Sequence, residues 1–397
     1  MPNPQVEEVL TALAKSKNVL LYGPPGTGKT WLVSELLAYL KEREPSGGQP
    51  TLKLGDTNNQ FGTSAGNDDL EDLPQNLEVE WVTFHQSYSY EEFIIGKRPK
   101  PLDGGIVLEP HFGVLMSIAV KISQGDAQNG CLLIIDEINR ANASQVFGEF
   151  ITLLDPDYRA TINGTPNSEA LKIRLPGIAY EDGTSEAITM LRGGGTHKLP
   201  EDWTFPENLY VLATMNSIDK AALPLDSALT RRFHRVEMMP NLDILAQGLE
   251  INLDNLATKA RDIRQESESI DTLTAEETTI LLLDRLNVLI ATDMGEDFEL
   301  GHTLVRSVIT TSNDQRWAAL IKVWDHVLLP QLMERYSGRN DSLRELLKVS
   351  PDSPTSEAFR ERVQIGADAS IDAPLMLNPL RYLDEQTATN ILRQLAI

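Results

Sequence analysis

Four short stretches of this chain hold residues whose types and spacing could do chemistry. The first is GPPGTGKT, Gly23–Thr30, which meets G-x-x-x-x-G-K-[ST] at every fixed position. Gly23, Pro24, Pro25, Gly26, Thr27 and Gly28 form a loop whose backbone N–H groups can close around phosphates. Lys29 would reach the β and γ phosphates, and the Thr30 hydroxyl would ligate Mg2+. The second is LLIIDEINR, Leu132–Arg140, an apolar run ending in two carboxylates. Asp136 would orient the magnesium shell and Glu137 would polarise an attacking water. Taken alone, such a pair also reads as a helix N-cap. The third is NLYVLATMN, whose terminal Asn216 could hydrogen-bond that water or the γ-phosphate, or simply make a turn. The fourth is ALTRRF, Ala228–Phe233. Either Arg231 or Arg232 could enter a neighbouring subunit's site, a device that changes rate by about 10³–10⁵. A solvated helix face is the plainer reading of that pair.

These residues need elements to position them. Apolar spacing predicts a helix over 5–14, and 18–22 reads as a compact strand. A helix over 31–43 follows the glycine-rich loop, the strand–loop–helix context that the phosphate motif requires. Residues 44–77 are rich in Gly, Asn, Asp, Ser and Pro and read as a surface insertion. Strands are expected at 78–85, 131–138 and 208–216, and helices at 112–123 and 143–155. Residues 156–206 read as a second insertion of loops or hairpins, with ALKIRLPG as a strand candidate. After about residue 240 glycine becomes scarce and helical periodicity takes over. The fold class is therefore α/β over 1–240, a parallel sheet with flanking helices, followed by an α-helical domain over 241–397.

The 397 residues carry 35 Lys and Arg against 58 Asp and Glu, a formal charge of −23. Such a surface repels a phosphate backbone unless cations cluster locally, so broad DNA binding by this chain alone is not expected. Solubility is the plainer meaning of the charge. One cysteine, Cys131, lies in an apolar run and reads as core. With no disulfide framework, no leader pattern and no apolar run near 18 residues, a cytoplasmic protein without a membrane span is expected. Cys, His and carboxylate spacing offers no zinc site. His85 and Tyr88 read as structural residues.

Loop, acidic pair, polar strand tip, arginine pair and helical C-terminal region together resemble the AAA+ P-loop NTPases. Four segments narrow the resemblance to the McrB family: Val82–Pro99, Ile134–Asp155, Met215–Phe233 and GHTLV at Gly301–Val305. The family's M-N-x-x-D element stands here as Met215, Asn216 and Asp219. The resemblance implies an AAA+ core with a helical lid, and a hexameric ring that hydrolyses GTP, or ATP as in most of the superfamily. It implies an McrC-type partner that carries the nuclease and through which DNA is reached. Asn216 and Asp219 would belong to a hydrolysis loop stimulated by that partner. Arg140 and Arg231 would act across the subunit boundary with Asp226 in support, and His302 would lie near the nucleotide. The chain departs from the family pattern in three respects. Lys220 stands where Arg is usual, Thr230 precedes the arginine pair, and the residues before the phosphate loop are too few to be expected to hold the family's DNA-reading domain. Target recognition would then fall to a partner or to loops around residues 164–196. A MoxR-type remodelling chaperone and a nucleotide-binding scaffold are the competing readings.

Overall fold

The computed structural model describes residues 4–42, 60–62, 76–102, 105–123, 129–160, 171–191, 195–201, 203–218, 225–349, 354–361 and 375–397. Residues 1–22 and 29–237 form one compact unit; residues 23–28 and 238–397 form the other.

The first unit is built on a six-stranded sheet. Its strands are β1 (Asn18–Gly23), β2 (Gln60–Gly62), β3 (Asn76–Thr83), β6 (Asn129–Asp136), β7 (Leu209–Asn216) and β8 (His234–Glu237). A hairpin of β4 (Ile95–Leu102) and β5 (Gly105–Phe112) lies in a separate four-stranded sheet. The order in the main sheet is β8-β1-β7-β6-β3-β2. β8 runs parallel to β1, and β7, β6 and β3 are mutually parallel, while β2 is antiparallel. Cys131–Ile135 and Leu209–Ala213 are almost fully buried, which is why both strands read as unbroken apolar runs instead of alternating ones.

Helix α1 (Pro4–Ser16) buries Val6, Val9, Leu10 and Leu13 and packs on α2 (Lys29–Glu42). Helix α3 (Val114–Ser123) packs with Phe112, Phe147 and Phe150 in a core that also takes Val82, Leu133, Ile135 and Val211. The helix expected over 143–155 breaks. α4 (Ala143–Phe147) stops at Gly148, and a 3-10 run continues to Leu154. Gly148 has φ +55, and a Cβ there would lie 2.8 Å from the Tyr90 ring, so the chain turns where only glycine fits. The described part of ALKIRLPG, residues 171–177, forms no strand; short pairings nearby are at 180–181 with 184–185 and at 188–189 with 196–197. The insertion over 44–77 falls almost wholly outside the described residues.

Sequence reading missed Arg159. Its side chain is 1% exposed, and burial pulls its guanidinium down to about 10, still protonated near neutrality. It donates to the carbonyls of Leu153, Leu154 and Leu209 and to Asn18 Oδ1. Asn18 in turn donates to the Leu154 and Arg232 carbonyls. This network ties the starts of β1 and β7 to the segment before β8. Removing the guanidinium would take this donor from the Leu153 and Leu209 carbonyls, each costing about 1–3 kcal/mol if left unsatisfied, while Leu154 keeps the Asn18 amide.

The β4–β5 hairpin was also unforeseen. Pro99 and Pro101 on β4 deny N–H donors to an approaching strand. Opposite them on β5, Leu108 and Ile106 are 59% and 74% exposed.

The second unit is helical. α5 (Leu242–Leu249), α6 (Leu253–Arg264), α7 (Ala275–Met294), α8 (Arg316–Val323), α9 (Leu329–Arg335) and α10 (Glu385–Ala396) share one core around Leu283, Leu286, Trp324 and Leu392. Asn241, Asn252, Thr274 and Asp384 cap four of these helices with their side chains. A wide π turn at Trp324–Leu328 joins α8 to α9. Pro330, just beyond it, has no N–H to continue the regular ladder. Among the described residues no helix is long and apolar enough to cross a membrane.

Candidate functional site

β6 and β7 are neighbours, with Ala213 opposite Ile135, so their carboxyl ends bring Asp136, Thr214 and Asn216 together. Ligands of open α/β sheets bind at that end of the strands. Thr214 Oγ1 donates to Asp136 Oδ1 at 2.7 Å and accepts the Glu137 N–H at 3.0 Å. One buried hydroxyl thus fixes both acidic residues. Glu137 needs the support, because its backbone is left-handed at φ 56° and ψ 51°. For a side chain of this kind that conformation costs about 1–3 kcal/mol. It also turns the carboxylate off the strand axis toward the tip of β7. There Asn216 Nδ2 donates to Glu137 Oε1. Arg140 Nε lies 3.6 Å from Glu137 Oε2, but its side chain is half exposed, so the pair contributes little to stability. Asn139, 2% exposed, donates from Nδ2 to the Asn216 carbonyl at 2.9 Å and ties the turn after β6 to the end of β7.

Lys29 begins α2 and is 7% exposed. Burial pulls its ammonium down to about 8, partly opposed by the charges of Glu137 and Asp136. An unfolded lysine titrates near 10.5, so between those values the folded chain binds fewer protons than the unfolded one. Stability without nucleotide therefore rises from about pH 8 to about 10.5. Bound phosphates would reverse the effect by favouring the ammonium. Nucleotide binding is thus expected to take up a proton above about pH 8 and to weaken as pH rises further. Calorimetric titrations at about pH 8.5 in two buffers of different ionisation enthalpy should give different heats. At about pH 6.5 that difference should vanish.

Thr30 follows Lys29, and Asp136 accepts its one side-chain hydrogen bond among the described residues on Oδ1. A hydroxyl and a carboxylate are hard oxygen donors suited to Mg2+, which keeps most of its own water. Among the described residues no cluster of three His, Cys, Asp or Glu could hold a metal by itself.

Asp226 caps the short helix Ser227–Thr230, accepting the Ala228 N–H at 3.0 Å. The two arginines after it differ. Arg231 is exposed. Arg232 folds back, with Nη1 donating to the Ala228 carbonyl of its own turn, and Asn18 holds its carbonyl. Asp219 and Lys220 lie outside the described residues. His302, in the helical unit, is 7% exposed, and its Nδ1 accepts the Asn241 N–H at 3.1 Å. Burial lowers its pKa, which suits a neutral acceptor at the start of α5. His85 is exposed, and Tyr88 stacks on Phe84 at 4.8 Å between ring centres, a packing contact.

Two members of this cluster, Thr214 and Asn139, escaped the sequence reading. Thr214 had a signal: two residues before Asn216 on a strand, it must share that residue's face. Asn139 had none, because its partner is a backbone carbonyl 77 residues away.

Comparison with known proteins agrees with this geometry. Residues 68–233 match the family model described as AAA domain (dynein-related subfamily). The chain is 28% identical over 346 residues to the type IV methyl-directed restriction enzyme EcoKMcrB subunit of Escherichia coli strain K12. That alignment covers 85% of this chain and 57% of the relative. It is 27% identical over 245 residues to the type II restriction enzyme BsuMI component YdiS of Bacillus subtilis strain 168, covering 55% of each. The chain thus spans little more than half the length of these relatives. The structure of PCH-2 from C. elegans aligns over 88% of this chain and 70% of its own at 14% identity, with a TM-score of 0.30, too low to add to the argument. The parallel sheet, the phosphate loop after its first strand, the acidic pair and these matches agree: the chain has an AAA+ P-loop fold and is similar to McrB-type restriction subunits.

Proposed function

We propose that this chain hydrolyses GTP or ATP with Mg2+ as a ring-shaped homo-oligomer, most simply a hexamer. In this reading the ring drives or gates an McrC-like nuclease partner in the restriction of foreign or modified DNA. The hydrolytic half is carried by one observation: Asn216, Thr214 and the left-handed turn converge on Glu137 at the ends of two adjacent strands. The restriction half is supported by the two relatives, both components of restriction enzymes.

Mg2+, held by Thr30 and Asp136, would neutralise charge on the phosphates. Lys29 adds a second positive charge, and the loop N–H groups orient the phosphate chain. Glu137 accepts the proton of the attacking water. In the structure Glu137 Oε1 accepts the Asn216 amide and its Oε2 faces Arg140. Turnover then requires Asn216 to release that oxygen and point its amide at the water or the γ-phosphate. Asp219, which completes M-N-x-x-D three residues on, would belong with Asn216 to the loop that a partner shifts.

This reading expects slow hydrolysis by the purified chain and a strong rise on adding the McrC-like partner. Rapid turnover by the chain alone, unchanged by partner, would count against the gated reading. Competition between the two nucleotides decides the base, and equal or better binding of ATP would remove the preference for GTP.

A further inference from the structure

The phosphate loop is held from behind by the segment Gly301–Leu304. Thr303 donates twice to one acceptor, the Gly26 carbonyl, from its backbone N–H at 2.9 Å and from its Oγ1 at 2.8 Å. Gly301 lies flat on the same peptide. A Cβ at Gly301 would sit 1.9 Å from Gly26 C, 2.0 Å from Gly26 O and 2.5 Å from Thr27 N. The segment is itself firmly set. The Asn287 side-chain amide of α7 makes paired hydrogen bonds to Leu300, 3.0 Å to its carbonyl and 2.7 Å from its N–H. His302 is fixed by the Asn241 N–H, and Val305 is buried in the helical core.

A trans peptide carries its C=O and N–H on opposite sides. Fixing the Gly26 carbonyl toward Thr303 therefore fixes the Thr27 N–H away from it. Thr27 has no freedom to undo this, since it is 2% exposed and its hydroxyl donates to the Pro24 carbonyl at 3.0 Å. Gly26 itself has φ +81°, a conformation an L side chain resists. We infer that Thr303 is a positioning residue for nucleotide binding: it orients the Gly26–Thr27 peptide so that the Thr27 N–H faces the bound phosphates, and Gly301 is required for the contact. This rests on the nucleotide-hydrolysing reading above. It gives GHTLV a function centred on Thr303 and Gly301, with His302 as the anchor.

The test uses the full chain with Mg2+ and measures binding of nucleoside triphosphate and diphosphate, KM, kcat and the melting temperature without nucleotide. Thr303→Val removes one of the two hydrogen bonds and is expected to weaken both nucleotides about three- to tenfold, raising KM with kcat held. Thr303→Ser should restore wild-type binding. Gly301→Ala should weaken binding by more than Thr303→Val, because its methyl would enter the Gly26–Thr27 peptide. Wild-type affinity in Thr303→Val would overturn the inference. So would a Ser variant as impaired as the Val variant, which would implicate the methyl and not the hydroxyl. A fall in melting temperature that accounts for all the lost binding would overturn it as well. If the wild-type chain bound no triphosphate at all, the nucleotide reading itself would fall, an outcome distinct from these three.

Discussion

Glu137→Gln is expected to lower turnover about 10²- to 10⁴-fold while nucleotide stays bound. The substitution keeps the size of the side chain and removes only its ability to take a proton. The left-handed backbone stays held by Thr214, because that bond uses the Glu137 N–H. The amide oxygen can still accept from Asn216, so the cluster should keep its shape. Single-turnover hydrolysis and nucleotide retention on a desalting column would measure the two effects separately. A variant within tenfold of wild type would show that another group activates the water. The scaffold reading makes the opposite prediction in the cell, where a chain that only needs to hold nucleotide would keep its activity after this change.

Arg231→Ala is expected to lower turnover of the assembled protein about 10³-fold or more. The argument is one of availability. Arg232 spends its guanidinium on its own turn, whereas Arg231 is exposed beside a capped helix end. Arg232→Ala should act chiefly on stability, by loosening the turn that precedes β8. Mixing separates an arginine acting in trans from one acting within its own subunit. Arg231→Ala subunits keep sound phosphate loops, and Lys29→Ala subunits keep sound arginines. Neither alone should turn over, and a mixture should recover activity at the junctions where the two sound halves meet. No recovery on mixing, with both single variants assembled, would place the arginine's role inside its own subunit.

The parts of this site that could be read from sequence are those contiguous with the element that positions them. Gly23–Thr30 follows β1 directly, and Asp136 and Glu137 close β6 directly, so strand, turn and chemistry lie in one window. Arg159 could not be read this way. Its partners are carbonyls of Leu153, Leu154 and Leu209 and the side chain of Asn18, brought together only by strand order. Thr303 is the same case at greater range, 277 residues from Gly26. The 143–155 helix was over-extended because apolar spacing continues past Gly148. The Tyr90 ring, from a distant part of the chain, is what demands a glycine there. The β4–β5 hairpin was missed because Lys97–Leu102 is rich in proline and lysine and lacks the alternation that marks a half-buried strand.

Cys131 is the chain's single thiol, 1% exposed in the middle of β6, and burial pushes its pKa up. The thiolate is the reactive form, and near neutrality it is neither formed nor reachable at this position. For alkylating reagents the folded protein therefore behaves as a cysteine-free background. A cysteine introduced at Ile106, on the exposed tip of the hairpin, should take one maleimide per chain while native Cys131 takes none until the sheet is unfolded. A spectroscopic reporter could then be attached at one chosen position without first removing a core residue.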